Sequence, residues 1–222
     1  MVFGASPLIF EDRADAGRRL GEELARRLRG DEEPLVLALP RGGVPVAARV
    51  AARVGGDLDI VIVRKIGAPG RAEFGVGAIA EDGPPVFDEE SLDYLGITAD
   101  DLAATMSRER AELVRRAARY RGERPAPDPS GRTVVLVDDG LATGVTARAA
   151  MRWVRGRRPG RLIVAAPVCA PQTYESLAAD ADDVVCLSAP EGFRAVGEWY
   201  RDFRQLTDED VDRALHAPTG AG

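Results

Sequence analysis

Short aliphatic runs alternate with glycine-bearing turns and helical patterns through most of this chain, and that alternation limits its fold more than any other feature. "PLVLALP" (34–40) opens into the turn "RGG", and "VPVAARVAARVGG" then places apolar residues at helical spacing before two glycines stop it. "DLDIVIVRK" (57–65) reads as a second strand. A strand, helix, strand succession of this kind is a βαβ unit, which predicts a parallel sheet. Downstream, "VVLV" (134–137), the loop "DDGLATG", the helix "VTARAAMRWVRG", the strand "RLIVAAPV", a short helix near "PQTYESLAA" and the strand "DVVCLSA" continue the alternation. The expected fold is α/β, a Rossmann-like parallel sheet flanked by helices.

Other segments decorate that core. "EDRADAGRRLGEELARRLRG" puts Ala16, Leu20, Leu24 and Leu28 on one helical face, with Asp12 as cap and Gly30 as stop. Its arginines read as a solvated face paired with glutamates. "APGRAEFGVGAIAEDGPPVF" has the glycine content of a mobile or hairpin segment. Gly75, Gly77 and Ala80 fit the dinucleotide pattern GxGxxA, but no suitable strand precedes them and proline follows where a helix should run. From Thr98 a long amphipathic helix is expected, with Leu102, Met106, Leu113 and Val114 on one side, until "GERPAPDPSG" breaks it. A closing helix capped by Thr207 and Asp210 follows an aromatic segment. These pieces read as a single domain over 1–222: an N-terminal helix (1–30), a core (35–187) with a helical insertion (88–121), and a small C-terminal hood with its helix (188–216).

Composition removes several functions. A formal charge of -6 argues against a nucleic-acid binder. No run of about 18 apolar residues crosses a membrane, and the first residues carry no targeting pattern, so a cytoplasmic location is expected. Cys169 and Cys186, the two cysteines, sit in apolar runs without a CxxC, and the single His216 lies near the tail. Zinc sites and histidine-based nucleophilic mechanisms therefore lack their residues. Of the 30 basic residues, 29 are arginine and one is Lys65, directly after the strand-like "DLDIVIV". Strand ends in parallel sheets are where ligands bind, which makes Lys65 a candidate for function.

The stretch "VVLVDDGLATGVT" (134–146) carries the chemistry. Asp138 and Asp139 repel each other if both stay ionised with nothing positive or hydroxyl-rich nearby. After them the strand gives way to a helix, where backbone N–H groups and the helix dipole converge on an anion. Gly140 and Gly144 permit close approach, and Thr143 and Thr146 add hydroxyl donors. This is not a Walker loop, since GxxxxGK[ST] is absent. A phosphorylated ribose satisfies the acids and the cradle together.

That stretch resembles the signature of the type I phosphoribosyltransferases: an aliphatic strand, two acidic residues, and a short loop ending in TG and a hydroxyl residue. The resemblance implies that Asp138 and Asp139 contact the ribose hydroxyls of 5-phosphoribosyl 1-diphosphate (PRPP), while Ala142, Thr143, Gly144, Val145 and Thr146 hold its 5-phosphate. "LALPRGGVPV" is similar to the family's diphosphate loop, which gives Arg41, Gly42 and Gly43 the leaving group. Lys65, joined by Arg64, falls at the next strand end, similar to a basic residue by which relatives hold the diphosphate. The resemblance spans roughly 35–187, and the whole arrangement is similar to a bacterial subgroup described only by the family's name.

The implied activity is Mg²⁺-dependent transfer of ribose 5-phosphate from PRPP to a nucleobase or related nitrogen heterocycle, with Mg²⁺ held at Asp138 and Asp139 and with Arg41 and Lys65 stabilising the departing diphosphate. Either Ala68–Glu81 or Tyr120–Ser130 serves as the water-excluding lid, the second bringing Arg121 and Arg124. Trp199, Tyr200 and Phe203 are candidate stacking platforms for the base, or a seal on the core. Ala142 stands where relatives acting on 6-oxopurines carry a third acid, which brings "DDGLATG" nearer to the adenine or orotate type. The alternative function is a regulatory protein that senses PRPP or a nucleotide at the same site. A homodimer is the usual family expectation.

Overall fold

The computed structural model describes residues 8–28 and 33–216. Along the chain come α1 (Arg13–Arg27), β1 (Leu35–Ala38), α2 (Gly43–Val54), β2 (Asp57–Ile60), β3 (Val63–Ala68), β4 (Arg71–Ala80), β5 (Val86–Phe87), α3 (Glu89–Leu95), α4 (Ala103–Arg121), β6 (Thr133–Val137), α5 (Val145–Gly156), β7 (Arg161–Val168), α6 (Pro171–Leu177), β8 (Asp183–Ser188) and α7 (Asp208–Leu215). Five strands form one parallel sheet in the order β2-β1-β6-β7-β8. Both of its faces are covered, which is why its central strands are apolar throughout rather than alternating. Val36, Ala38, Val135, Val137 and Ile163 pack with Leu20 and Leu24 of α1 and Val46 and Val50 of α2. Leu35, Leu37, Val134, Leu136 and Leu162 pack with Met151, Trp153 and Val154 of α5. The expected α/β architecture is the one observed.

Asp12 caps α1 by accepting from the Asp15 amide, as its position predicts, while the predicted stop at Gly30 lies outside the described residues. Thr207 and Asp210 form a reciprocal capping box on α7. The long helix exists, preceded by a 3₁₀ turn at Asp100–Leu102. Leu102 and Leu113 are buried, but Val114 is 71% exposed, because one further residue turns it off the stripe that Leu113 occupies.

"DLDIVIVRK" is not one strand. β2 ends at Ile60, and the chain departs at Val61 and Ile62 to enter a separate antiparallel sheet, β3-β4-β5. The break is held by side chains: Glu81 accepts the Ile62 amide at 2.7 Å, and Arg121 donates to the Ile60 carbonyl, to Glu81 and to Asp59. The glycine-rich stretch is therefore the β3–β4 hairpin, and GxGxxA lies on strand β4. A side chain at Gly77 would come within 2.5 Å of the Val86 carbonyl, so glycine there admits β5.

Arg121 cannot serve on a lid. Its side chain is 4% exposed and fully engaged at the junction of the two sheets, so it has no reach toward a diphosphate. Among the described residues no helix is long and apolar enough to cross a membrane.

Candidate active site

β1 and β6 are parallel neighbours, so the turn after one and the acids after the other leave the sheet at the same edge. The Leu39 amide donates to the Val137 carbonyl at 2.9 Å and carries the pairing one residue past β1. A peptide in the cis form joins Pro40 to Arg41. Then Gly42 and Gly43 lie directly on the acid pair. A Cβ on Gly42 would stand 2.0 Å from Asp139 Oδ2, and one on Gly43 would stand 2.6 Å from the Val137 carbonyl and 3.0 Å from Asp138 Cα. Gly42 has φ -61° and ψ -39°, a conformation open to any residue, so glycine is needed there for room rather than for backbone freedom.

Both acids accept hydrogen bonds from neighbouring groups. Asp138 Oδ1 accepts the Asp139 amide at 2.8 Å, and Asp139 Oδ2 accepts Arg13 Nε at 2.8 Å. Arg13 also donates through Nη1 to the Arg204 carbonyl at 3.0 Å and lies 4.0 Å over the Phe203 ring. Burial, reinforced by the charge of Asp139, pushes the Asp138 carboxyl well above the ordinary carboxylate range. Burial raises Asp139 too, and the Arg13 charge opposes that rise. The expectation of a positive group beside the acids is met by Arg13, which does not lie on the solvated face expected for the arginines of this helix. One signal marks it in the sequence: Arg13 precedes Ala16, Leu20 and Leu24 at spacings of three and four, which sets it on the buried stripe of α1.

The loop after the acids is tied down behind and open in front. Leu141 bridges Val168 and Ala170 through its backbone, and the Thr173 hydroxyl donates to the Ala142 carbonyl. Gly144 takes φ +74° at the start of α5, with the Thr173 methyl 2.7 Å from where its Cβ would be. Ala142 and Thr143 are exposed, and among the described residues no side-chain cap bond is made at the start of the twelve-residue α5, with Val145 and Thr146 in its first turn. Uncapped amides at a helix start are an anion site when a phosphate is present.

Other candidates fall elsewhere. Arg41 reaches away from the turn and donates to the Leu206 carbonyl at 2.7 Å. Lys65 is exposed on β3, opposite Ala78 in the hairpin, and is not at the end of a parallel strand, because the chain leaves the first sheet before reaching it. It forms no ion pair among the described residues. Trp199 and Tyr200 are buried with Phe10, Ala16 and Val168, and the Tyr200 hydroxyl donates to the Asp139 carbonyl at 2.6 Å. Trp199 is 9% and Tyr200 6% exposed, so both rings pack chiefly into the core beneath the C-terminal segment. Phe203 has Arg13 on its ring and Tyr200 at 5.0 Å. His216 ends α7 at the surface.

Among the described residues no three His, Cys, Asp or Glu side chains cluster to hold a metal ion. Two adjacent, partly buried carboxylates do fit one divalent cation shared with ligand oxygens, the manner in which Mg²⁺ usually binds.

The family model described as "Phosphoribosyl transferase domain" matches residues 9–201. This chain belongs to that family. Phosphoribosyl transferase relatives from two strains of Mycobacterium tuberculosis, named as such only provisionally, are 42% identical over 203 residues, covering 91% of this chain and 45% of theirs. The chain thus spans about half the length of the curated relatives it matches. The protein TT1426 from Thermus thermophilus is 49% identical with a TM-score of 0.78, covering 93% of this chain and 97% of that one. At 12% identity and a TM-score of 0.50, AQ2163 from Aquifex aeolicus shares the fold across 92% of this chain and 85% of its own. The phosphoribosyl transferase match contains the turn, the acid pair and the loop alike.

Proposed function

We propose that this chain transfers ribose 5-phosphate from PRPP to a nitrogen heterocycle with release of diphosphate. The observation that carries the reading is the contact of Gly42 with Asp139, which unites a diphosphate-type turn and a ribose-type acid pair in one site beside an uncapped helix start. Asp138 and Asp139 accept hydrogen bonds from the ribose hydroxyls, and the amides from Ala142 to Thr146 with the Thr143 and Thr146 hydroxyls hold the 5-phosphate. Gly42 and Gly43 offer bare backbone to the diphosphate, with Arg41 released from Leu206 to meet it. Asp138 and Asp139 would hold Mg²⁺, which would supply charge neutralisation for the leaving group. As the anomeric bond breaks, the paired carboxylates face the developing positive charge on the sugar. The β3–β4 hairpin, which carries Lys65, is the segment we assign to exclude water.

The burial of Trp199 and Tyr200 leaves neither as a platform for an acceptor, and that favours a second reading in which the chain senses PRPP without consuming it. Diphosphate release from PRPP and Mg²⁺ across a panel of purine and pyrimidine bases, and without acceptor, separates the two. Release that depends on one base and is lost in Asp138→Asn/Asp139→Asn supports transfer. Binding without release under any condition rejects transfer in favour of sensing.

A further inference from the structure

Arg13 lies outside the turn, acid pair and loop on which the functional reading rests, yet among the described residues it makes the one ion pair of that site. We infer that Arg13 is a positioning residue: it fixes the carboxylate of Asp139 against the Gly42 turn and ties it to the C-terminal hood, so that the ribose acid is set before PRPP arrives. This inference rests on the PRPP reading above.

The geometry is a closed frame. Arg13 reaches Asp139 at 2.8 Å, with the two side chains only 10% and 13% exposed. Asp139 in turn lies against Gly42, which leads into α2. α2 is locked to α1, the helix that carries Arg13: a Cβ on Gly17 would stand 2.7 Å from the Val46 carbonyl, and one on Gly21 would stand 2.9 Å from the Arg53 Cβ. The helix that carries Arg13 and the helix that follows the turn therefore pack closely against each other. The guanidinium also uses its fork. Nε serves Asp139 while Nη1 serves the Arg204 carbonyl, and the planar group lies on Phe203. A lysine ammonium on its flexible stem lacks that planar, two-armed geometry. Asp138 receives no arginine hydrogen bond among the described residues, so of the two acids Asp139 is the one this guanidinium orients.

The test combines PRPP affinity by calorimetry in the presence of Mg²⁺, steady-state diphosphate release and the thermal midpoint for wild type, Arg13→Gln, Arg13→Lys, Asp139→Asn and the Arg13→Gln/Asp139→Asn double variant. Positioning predicts that Arg13→Gln raises both Kd and KM for PRPP at least tenfold while kcat changes less than threefold. Arg13→Lys should fall between wild type and Arg13→Gln. In the double variant the second change should add little, because both remove one interaction. The inference is overturned if folded Arg13→Gln loses thermal stability but binds PRPP within twofold of wild type, or if the two single effects multiply independently. Should Arg13→Gln not fold, Arg13→Lys decides: affinity within twofold of wild type overturns the inference. Wild-type protein that neither binds nor consumes PRPP removes the functional reading, and this inference falls with it.

Discussion

Gly42→Ala tests the contact on which the site is built. The backbone at Gly42 suits alanine, so any cost comes from space alone. The new methyl would stand 2.0 Å from Asp139 Oδ2, whereas ordinary contact begins near 3.4 Å, so the oxygen or the turn must retreat by about 1.4 Å. A shift of that size pulls the carboxylate off Arg13, whose hydrogen bond is 2.8 Å long. Overpacking of this kind costs about 2 kcal/mol, or roughly 4–8 °C of thermal midpoint for a domain this size. PRPP affinity should fall at least tenfold, about 1.4 kcal/mol, since turn and acid are both displaced. Calorimetry and a thermal scan read the two effects. The companion variant is Gly42→Ala in an Asp139→Ala background: with the carboxylate gone, the added methyl should cost less than half as much. Gly42→Ala with wild-type stability and PRPP affinity would refute the reasoning, as would an equal cost in both backgrounds.

Gly156→Ala is predicted to act in the opposite direction. Gly156 closes α5, and a Cβ added there would meet nothing within 4 Å, so alanine's better helix propensity adds about 0.5–1 kcal/mol, read as a raised denaturation midpoint. Arg121→Met strands Glu81 and Asp59 at the junction of the sheets and is expected to cost about 3–5 kcal/mol in urea unfolding. Asp138→Asn links function to pH. Because burial raises the native pKa of Asp138, the folded state holds that proton longer than the unfolded chain, and stability falls as pH climbs from about 4 toward the raised value. Asparagine escapes that loss, so the variant should melt above wild type at about pH 7, match it near about pH 3, and release no diphosphate.

The fold was legible where sequence pattern reflects burial on both faces: the unbroken apolar runs of β1, β6 and β7 announce a covered parallel sheet, and Gly55 at φ +70° ends α2 where two glycines stand in the sequence. The split of "DLDIVIVRK" was not legible, because Arg121 and Glu81, which hold the break, come from distant positions. The acid pair and the glycine turn could be read separately, but that they touch depends on β1 pairing with β6 across a long insertion. Trp199, Tyr200 and Phe203 show why residue type alone misleads: rings able to stack on a base pack equally well on Phe10 and Arg13. Arg13 stood among many arginines, and only its register on the α1 stripe distinguished it.

Titration of PRPP with Mg²⁺ into wild-type protein and into Asp138→Asn/Asp139→Asn tests the central claim most directly, with ribose 5-phosphate as the comparison ligand. A single PRPP site, weaker binding of ribose 5-phosphate, and loss of both in the double variant are predicted if turn, acids and loop act as one site. No saturable binding by the wild type, or equal binding by the double variant, would contradict it.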